Sequence, residues 1–130
     1  MAMAPDRIPH EVKTIAVVGA SDKPGRASRG VMQFLQSRGY RCFPVSPRLA
    51  GTELLGETVY PDLKAIPEAV DMVDIFRNSE DAAETVDEAI AIAAKVVWMQ
   101  LGVINEPAAQ RARDAGLTVV MDRCPAIDWR

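Results

Sequence analysis

Histidine and cysteine are scarce in this chain, with one histidine, His10, and two cysteines, Cys42 and Cys124. A lone histidine in a polar N-terminal stretch reads as solvated or capping rather than catalytic. Two distant cysteines provide neither the disulfide framework of a secreted domain nor the spacing of a metal site. A basic excess is missing as well. Fifteen Lys and Arg stand against 18 Asp and Glu, a net charge of −3, which argues against a general nucleic-acid binder. No apolar run approaches the length of a membrane span, and residues 1–13 lack the apolar core of a signal peptide, so a cytoplasmic protein is expected. Internal repeats, low-complexity tracts and linkers are also absent. What is present is an ordinary globular composition, 48% hydrophobic and 25% charged over 130 residues. It is enough for one domain with its own core, expected to span 1–130.

Along the chain, strands and helices alternate. Residues 1–13, with Pro5 and Pro9, read as an arm or a short helix. A first strand over 14–18 ends at Gly19, and a helical pattern begins near Ser28 with Val31, Met32, Phe34 and Leu35 on one face, stopping at Gly39. A second strand, 41–46, leads to a loop with Gly51, Gly56 and Pro61 and a one-turn helix near 62–66. A third strand follows at 72–76. Asn78 or Ser79 is expected to cap the next helix, whose stripe is Val86, Ala89, Ile90 and Ala93. The fourth strand is 96–99, then Asn105 caps a helix with Pro107 in its first turn, and the fifth strand is 117–121. The strands are continuous apolar runs, as burial on both faces of a parallel sheet produces. The expectation is an α/β, doubly wound, five-stranded parallel sheet in the order 3-2-1-4-5, with helices on both faces in three αβα layers.

The chemistry is expected where the strands end. Gly19 and Ala20 carry too little side chain to keep a ligand from the backbone. Their amides and the start of the next helix are expected to face an anion. The hydroxyls of Ser21 and Ser28 and the cations Lys23 and Arg26 add donors. The loop lacks the second glycine of G-x-G-x-x-G, having Ser21 there, and lacks a Walker Gly-Lys-Ser/Thr. The other strand ends offer Ser46, Pro47 and Arg48; Phe76, Arg77 and Asn78; Gln100, Leu101 and Gly102; and Asp122, Arg123 and Cys124. An NAD site normally has an acid after the second strand, and none is there. Arg48 is suited to pair with a ribose phosphate. The residues therefore point to coenzyme A, with its 3′-phosphate, or to NADP, with its 2′-phosphate. NAD is disfavoured.

Five ordered segments carry a resemblance: Ile15–Ser21, Val45–Pro47, Val73–Arg77, Trp98–Val103 and Val120–Pro125. Together they resemble the small stand-alone CoA-binding proteins, which are similar to the CoA-binding domain of the succinyl-CoA synthetase α subunit. The likeness spans roughly residues 8–128. It implies a Rossmann-like domain binding coenzyme A. It places Gly19, Ala20 and Ser21 at the pyrophosphate with Lys23, Arg26 and Ser28 nearby, and Pro47 and Arg48 at the adenosine end. Phe76, Arg77 and Asn78 would line the adenine and pantetheine path, and Gln100 and Gly102 match the fourth-strand loop. The synthetase's phosphoryl-transfer histidine belongs to a second domain that this chain does not match, so the resemblance implies binding without ligase activity.

Four further features are weighed as structure. Cys124 reads as packing before Pro125 rather than as a reactive thiol, for want of a general base. Trp98 and Met99 read as core, and the acidic run from Glu80 to Glu88 as a solvated helix face. Asp74, inside an apolar strand, must be paired; it serves either to orient an amide beside the ligand or to sit near the sheet edge. No catalytic or metal residue is expected. The reading is a binding module for CoA or acyl-CoA, a carrier, sensor or partner of another enzyme, monomeric or homodimeric, with no membrane contact. The alternative is an NADP- or NAD-binding redox sensor.

Overall fold

The structure, a computed structural model, describes residues 3–130; the first two residues of the expected arm lie outside them. Pro5–Arg7 forms a 3-10 turn that runs into a four-residue helix, α1 (Ile8–Glu11). Strand β1 (Thr14–Val18) is followed by helix α2 (Ala27–Ser37) and strand β2 (Arg41–Val45). A two-strand hairpin, β3 (Glu53–Leu54) and β4 (Glu57–Thr58), and a 3-10 turn at Leu63–Ala65 lead to β5 (Met72–Ile75). Helix α3 (Ala82–Ala91), strand β6 (Val96–Met99), helix α4 (Glu106–Asp114), strand β7 (Thr118–Val120) and helix α5 (Pro125–Asp128) complete the chain. No helix of the described residues is long and apolar enough to cross a membrane.

The five long strands pair in parallel in the order β2-β1-β5-β6-β7. Successive residues alternate between two cores. Ile15, Val17, Cys42, Met72 and Trp98 pack with Ile8, Val31, Met32 and Leu35 on the α1/α2/α5 side. Ala16, Val18, Phe43, Val73, Ile75 and Val97 pack with Ala82, Val86, Ala89, Ala108 and Ala112 on the α3/α4 side. Both faces are covered, which is why the strands read as unbroken apolar runs. The doubly wound, three-layer Rossmann-like α/β fold is therefore present.

The strand order differs from 3-2-1-4-5 in one respect. Counted among the long strands, the third lies between the first and fourth, not outside the second. The place beyond β2 is taken by Tyr60. Its N–H donates to the Pro44 carbonyl at 3.0 Å and its carbonyl accepts from Ser46 N at 2.9 Å, forming a single parallel bridge to Val45. With that edge held by the segment after the hairpin, the next full strand passes back across β1. If Tyr60 counts as a one-residue third strand, the order becomes 3-2-1-4-5-6. The order in which strands are added therefore reverses between β1 and β5. Two local expectations also shift. Helix α3 begins at Ala82 rather than after Asn78 or Ser79, because Asn78 Oδ1 accepts the Asp81 N–H at 2.8 Å and closes a turn ahead of it. Its buried stripe is Ala82, Thr85, Val86 and Ala89, with Ile90 half-buried and Ala93 exposed.

Asp74 lies in the middle of β5 with no exposed surface, between Val17 of β1 and Trp98 of β6; it is central, not near an edge. The Gln100 side-chain amide lies against the Asp74 carboxyl, within hydrogen-bond distance of Oδ1 and Oδ2 at 2.9 and 3.1 Å. Burial pushes the Asp74 carboxyl well above the ordinary carboxylate range. The folded chain then holds this proton more tightly than the unfolded chain. Stability from this site is whole below the unfolded pKa of about 3.9 and falls as pH rises through the folded value.

Two outcomes follow from the packing. The stability difference between wild type and Asp74→Asn, measured by urea denaturation, is expected to shift toward the variant as pH rises from about 5 to about 8; a pH-independent difference contradicts a protonated Asp74. Gly19 has φ +88°, and a Cβ there would lie 2.8 Å from the Phe76 carbonyl oxygen, whereas a Cβ at Gly25 would meet nothing within 4 Å. Gly19→Ala is expected to cost about 2–3 kcal/mol, against about 0.5 kcal/mol or less for Gly25→Ala.

Candidate functional site

In an open parallel sheet the crevice for a ligand opens beyond the carboxyl ends of the strands where the order reverses. Here that point lies between β1 and β5. Val18 accepts the Phe76 N–H at 2.8 Å, and Gly19, free of a side chain, lets the turn after β1 sit against the Phe76 carbonyl. A cavity of about 410 Å³ opens there, lined by Gly19, Ser21, Lys23, Arg26, Ala27, Ser28, Arg48 and Phe76, within the size range of small-molecule sites.

The start of α2 forms one wall. Its N-cap is Arg26, in extended backbone, which makes no side-chain capping bond, and its first turn carries no acid. The other two long helices begin differently. Asn105 caps α4, accepting the Ala108 N–H at 3.1 Å, with Glu106 in the first turn, and α3 has Glu84 in its first turn. Helix α2 thus presents uncompensated N–H groups and the positive end of its dipole to the cavity. Lys23, Arg26 and Arg48 stand around the same space. Against them is one acid, Asp22, 3.8 Å from Arg48. Both groups are more than half exposed, so the contact leaves Arg48 available to a ligand. Ser28 is 4% exposed, held at the cavity by the first turn of α2. The arrangement is suited to hold a phosphate or diphosphate.

The amides of Gly19 and Ala20, expected to face an anion, are bonded within the fold. Both N–H groups donate to the Val45 carbonyl, at 3.0 and 3.1 Å, because the turn goes on pairing with β2 after β1 has ended. The loop closes on itself further along, with Lys23 N donating to Ser21 Oγ at 3.2 Å. Seven of the thirteen expected site residues line the cavity: Gly19, Ser21, Lys23, Arg26, Ser28, Arg48 and Phe76.

The remaining six take up structural contacts around it. Ala20 is buried, and Pro47 lies exposed in the turn that carries Arg48. Arg77 turns to α3, with Nη1 donating to Thr85 Oγ1 at 3.2 Å and Nη2 lying 3.8 Å from Asp81. Asn78 holds the turn before α3. Gln100 reaches back to Asp74. Gly102, at φ +82°, donates its N–H to Asp122 Oδ1 at 2.7 Å. Arg123, another strand-end cation, is engaged by Asp128 at 2.7 Å. Ala27 lies one residue ahead of the helix start that the apolar pattern marks, and Asp22 is a lone acid in a basic loop with no signal of its own in the sequence.

A larger concavity, about 840 Å³, lies between the N-terminal turn, β7 and α5, walled by Tyr40, Trp98 and Trp129. Size favours it, but chemistry does not. Two of its cations are engaged, Arg123 with Asp128 and Arg38 with the Trp129 carbonyl at 3.0 Å, and the acid Asp6 lines it beside His10 and Arg130. The cysteines lie apart from the cavity's lining: Cys42 is buried in β2, where desolvation pushes its thiol up to about 12, and Cys124 is buried at the start of α5.

Comparison with known proteins gives the chain its relatives. The chain is 41% identical over 112 residues to the uncharacterized protein YneT of Bacillus subtilis, covering 86% of this chain and 82% of that one. A solved structure from Thermus thermophilus superposes with a TM-score of 0.92 at 34% identity, covering 98% of this chain and 97% of that one. The α subunit of an ADP-forming acetate–CoA ligase of Pyrococcus furiosus is 33% identical over 89 residues; the match takes in 65% of this chain but only 19% of the ligase subunit. The CoA binding domain family matches residues 13–130. With nearly its whole length inside that match, the chain belongs to the family of CoA binding domains.

Proposed function

We propose that this protein binds coenzyme A, with the diphosphate at the start of α2 and the 3′-phosphate at Arg48. The observation that supports this best is the uncapped, acid-free N-terminus of α2 with Lys23, Arg26 and Arg48 around one cavity. A diphosphate there replaces the missing cap and is met by three cations, in a chain whose net charge is −3. Ser21 and Ser28 add hydroxyl donors, and Gly19 keeps the turn against Phe76 so that the space stays open. Pro47 shapes the turn carrying Arg48. Arg77, Asn78, Gln100 and Gly102 frame the strand ends without lining the cavity.

In this reading the chain does no chemistry of its own and serves as a carrier, sensor or partner of another enzyme in the cytoplasm. The family match and the ligase likeness favour CoA over NADP or NAD. Thermal-shift measurements with CoA, acetyl-CoA, NADP, NAD and ATP are expected to show the largest stabilisation with the two CoA compounds. At a hundredfold excess over Kd it should reach about 2.7 kcal/mol. Arg48→Ala is expected to weaken CoA about tenfold and dephospho-CoA far less. An equal loss for both removes Arg48 from the 3′-phosphate, and a larger shift with NADP than with CoA favours the redox alternative.

A further inference from the structure

Two of the three large apolar side chains exposed among the described residues share one loop, between β6 and α4: Leu101, 57% exposed, and Ile104, 50% exposed. The loop is held from several sides. Gln100 is tied to the buried Asp74, and the Gly102 N–H donates to Asp122 Oδ1 at 2.7 Å. Ser79 Oγ donates to the Gly102 carbonyl at 3.3 Å and accepts the Ile104 N–H at 2.9 Å. Asn105 Nδ2 donates to the Ser79 carbonyl at 2.9 Å. Asp122 itself sits at φ +61°, a conformation unusual outside glycine. A loop fixed so closely, carrying two apolar side chains in water, is a preformed surface rather than a slack connection.

Its position says what the surface meets. Gln100 N donates to the Ile75 carbonyl at 3.3 Å, so Leu101 begins one strand beyond Phe76, which lines the phosphate cavity. If CoA lies with its ribose phosphate at Arg48 beyond β2 and its diphosphate beyond β1, the other arm runs toward β5 and β6. From β1 to β6 is two strand spacings, roughly 10 Å, within reach of a pantetheine arm. The sulfur end then arrives beside Leu101 and Ile104. A free thiol takes little from such a surface, whereas an alkyl acyl group on that sulfur covers both side chains. We infer that the preferred ligand is an acyl-CoA with a straight aliphatic acyl chain, bound through Leu101 and Ile104; this rests on the coenzyme reading above.

Isothermal titration with CoA and with hexanoyl-CoA, on the wild type and on the Leu101→Ser/Ile104→Ser double variant, tests it. In the wild type, hexanoyl-CoA is expected to bind about tenfold more tightly than CoA, equivalent to about two methylenes leaving water. The double variant should lose that gain and keep its affinity for CoA. Equal affinity for the two compounds in the wild type overturns the inference and leaves the coenzyme reading standing. A gain that survives the double variant, or a variant weakened equally for both, also overturns it. So does self-association through this loop, seen in sedimentation as a dimer that the double variant dissolves, with no acyl gain. Failure of both compounds to bind the wild type removes the coenzyme reading itself.

Discussion

The contact between Gly19 and the carbonyl of Phe76 sets the geometry of the whole carboxyl edge of the sheet. At this point the strand order reverses, and the end of β1 must lie against the end of the parallel β5 while a crevice opens above them. A side chain at Gly19 would collide with that carbonyl. The turn can then go on bonding to β2 through its two amides, which aims the following loop at the start of α2. The uncapped helix end and the three cations come together as a result of that backbone path.

Charge placement follows from the same frame. Five cations stand near the strand ends, and the fold sorts them. Lys23, Arg26 and Arg48 border the cavity, while Arg77 is drawn to α3 and Arg123 to Asp128. On the α2 side of the sheet lies Asp74, whose burial favours its neutral form. An ionised carboxylate in the core would be costly to the fold and would oppose an anion at the carboxyl edge. Its amide partner, Gln100, in turn anchors the loop that carries Leu101 and Ile104. One buried polar pair thus links the core to the edge.

Much of this was legible in the residues. Apolar runs bounded by Gly19, Gly39 and Gly116 marked the strands and helix ends, and the spacing of Val31, Met32 and Leu35 marked the covering face of α2. The cluster Ser21, Lys23, Arg26 and Ser28 marked the rim of the cavity because those residues are close in sequence, in the loop after β1 and the first turn of α2. Other features depended on contacts that periodicity does not carry. The strand order turned on Tyr60, a single bridging residue in a segment that reads as loop. The amides of Gly19 and Ala20 were claimed by the carbonyl of Val45, a neighbour only in space. Arg77 is drawn to Thr85 and Asp81 at the next helix and Arg123 to Asp128, while Arg48 meets Asp22 from a different loop, a pairing that the order of residues does not reveal.

The central claim is that the ligand's phosphates sit at the start of α2 rather than in the larger aromatic groove beside β7. Titrating CoA into uniformly 15N-labelled protein and following amide shifts decides between them. The account predicts that the largest changes fall on Ser21, Ala27 and Ser28, with Tyr40 and Trp129 little moved. The reverse pattern, with Tyr40 and Trp129 shifting most while the start of α2 stays silent, would contradict it.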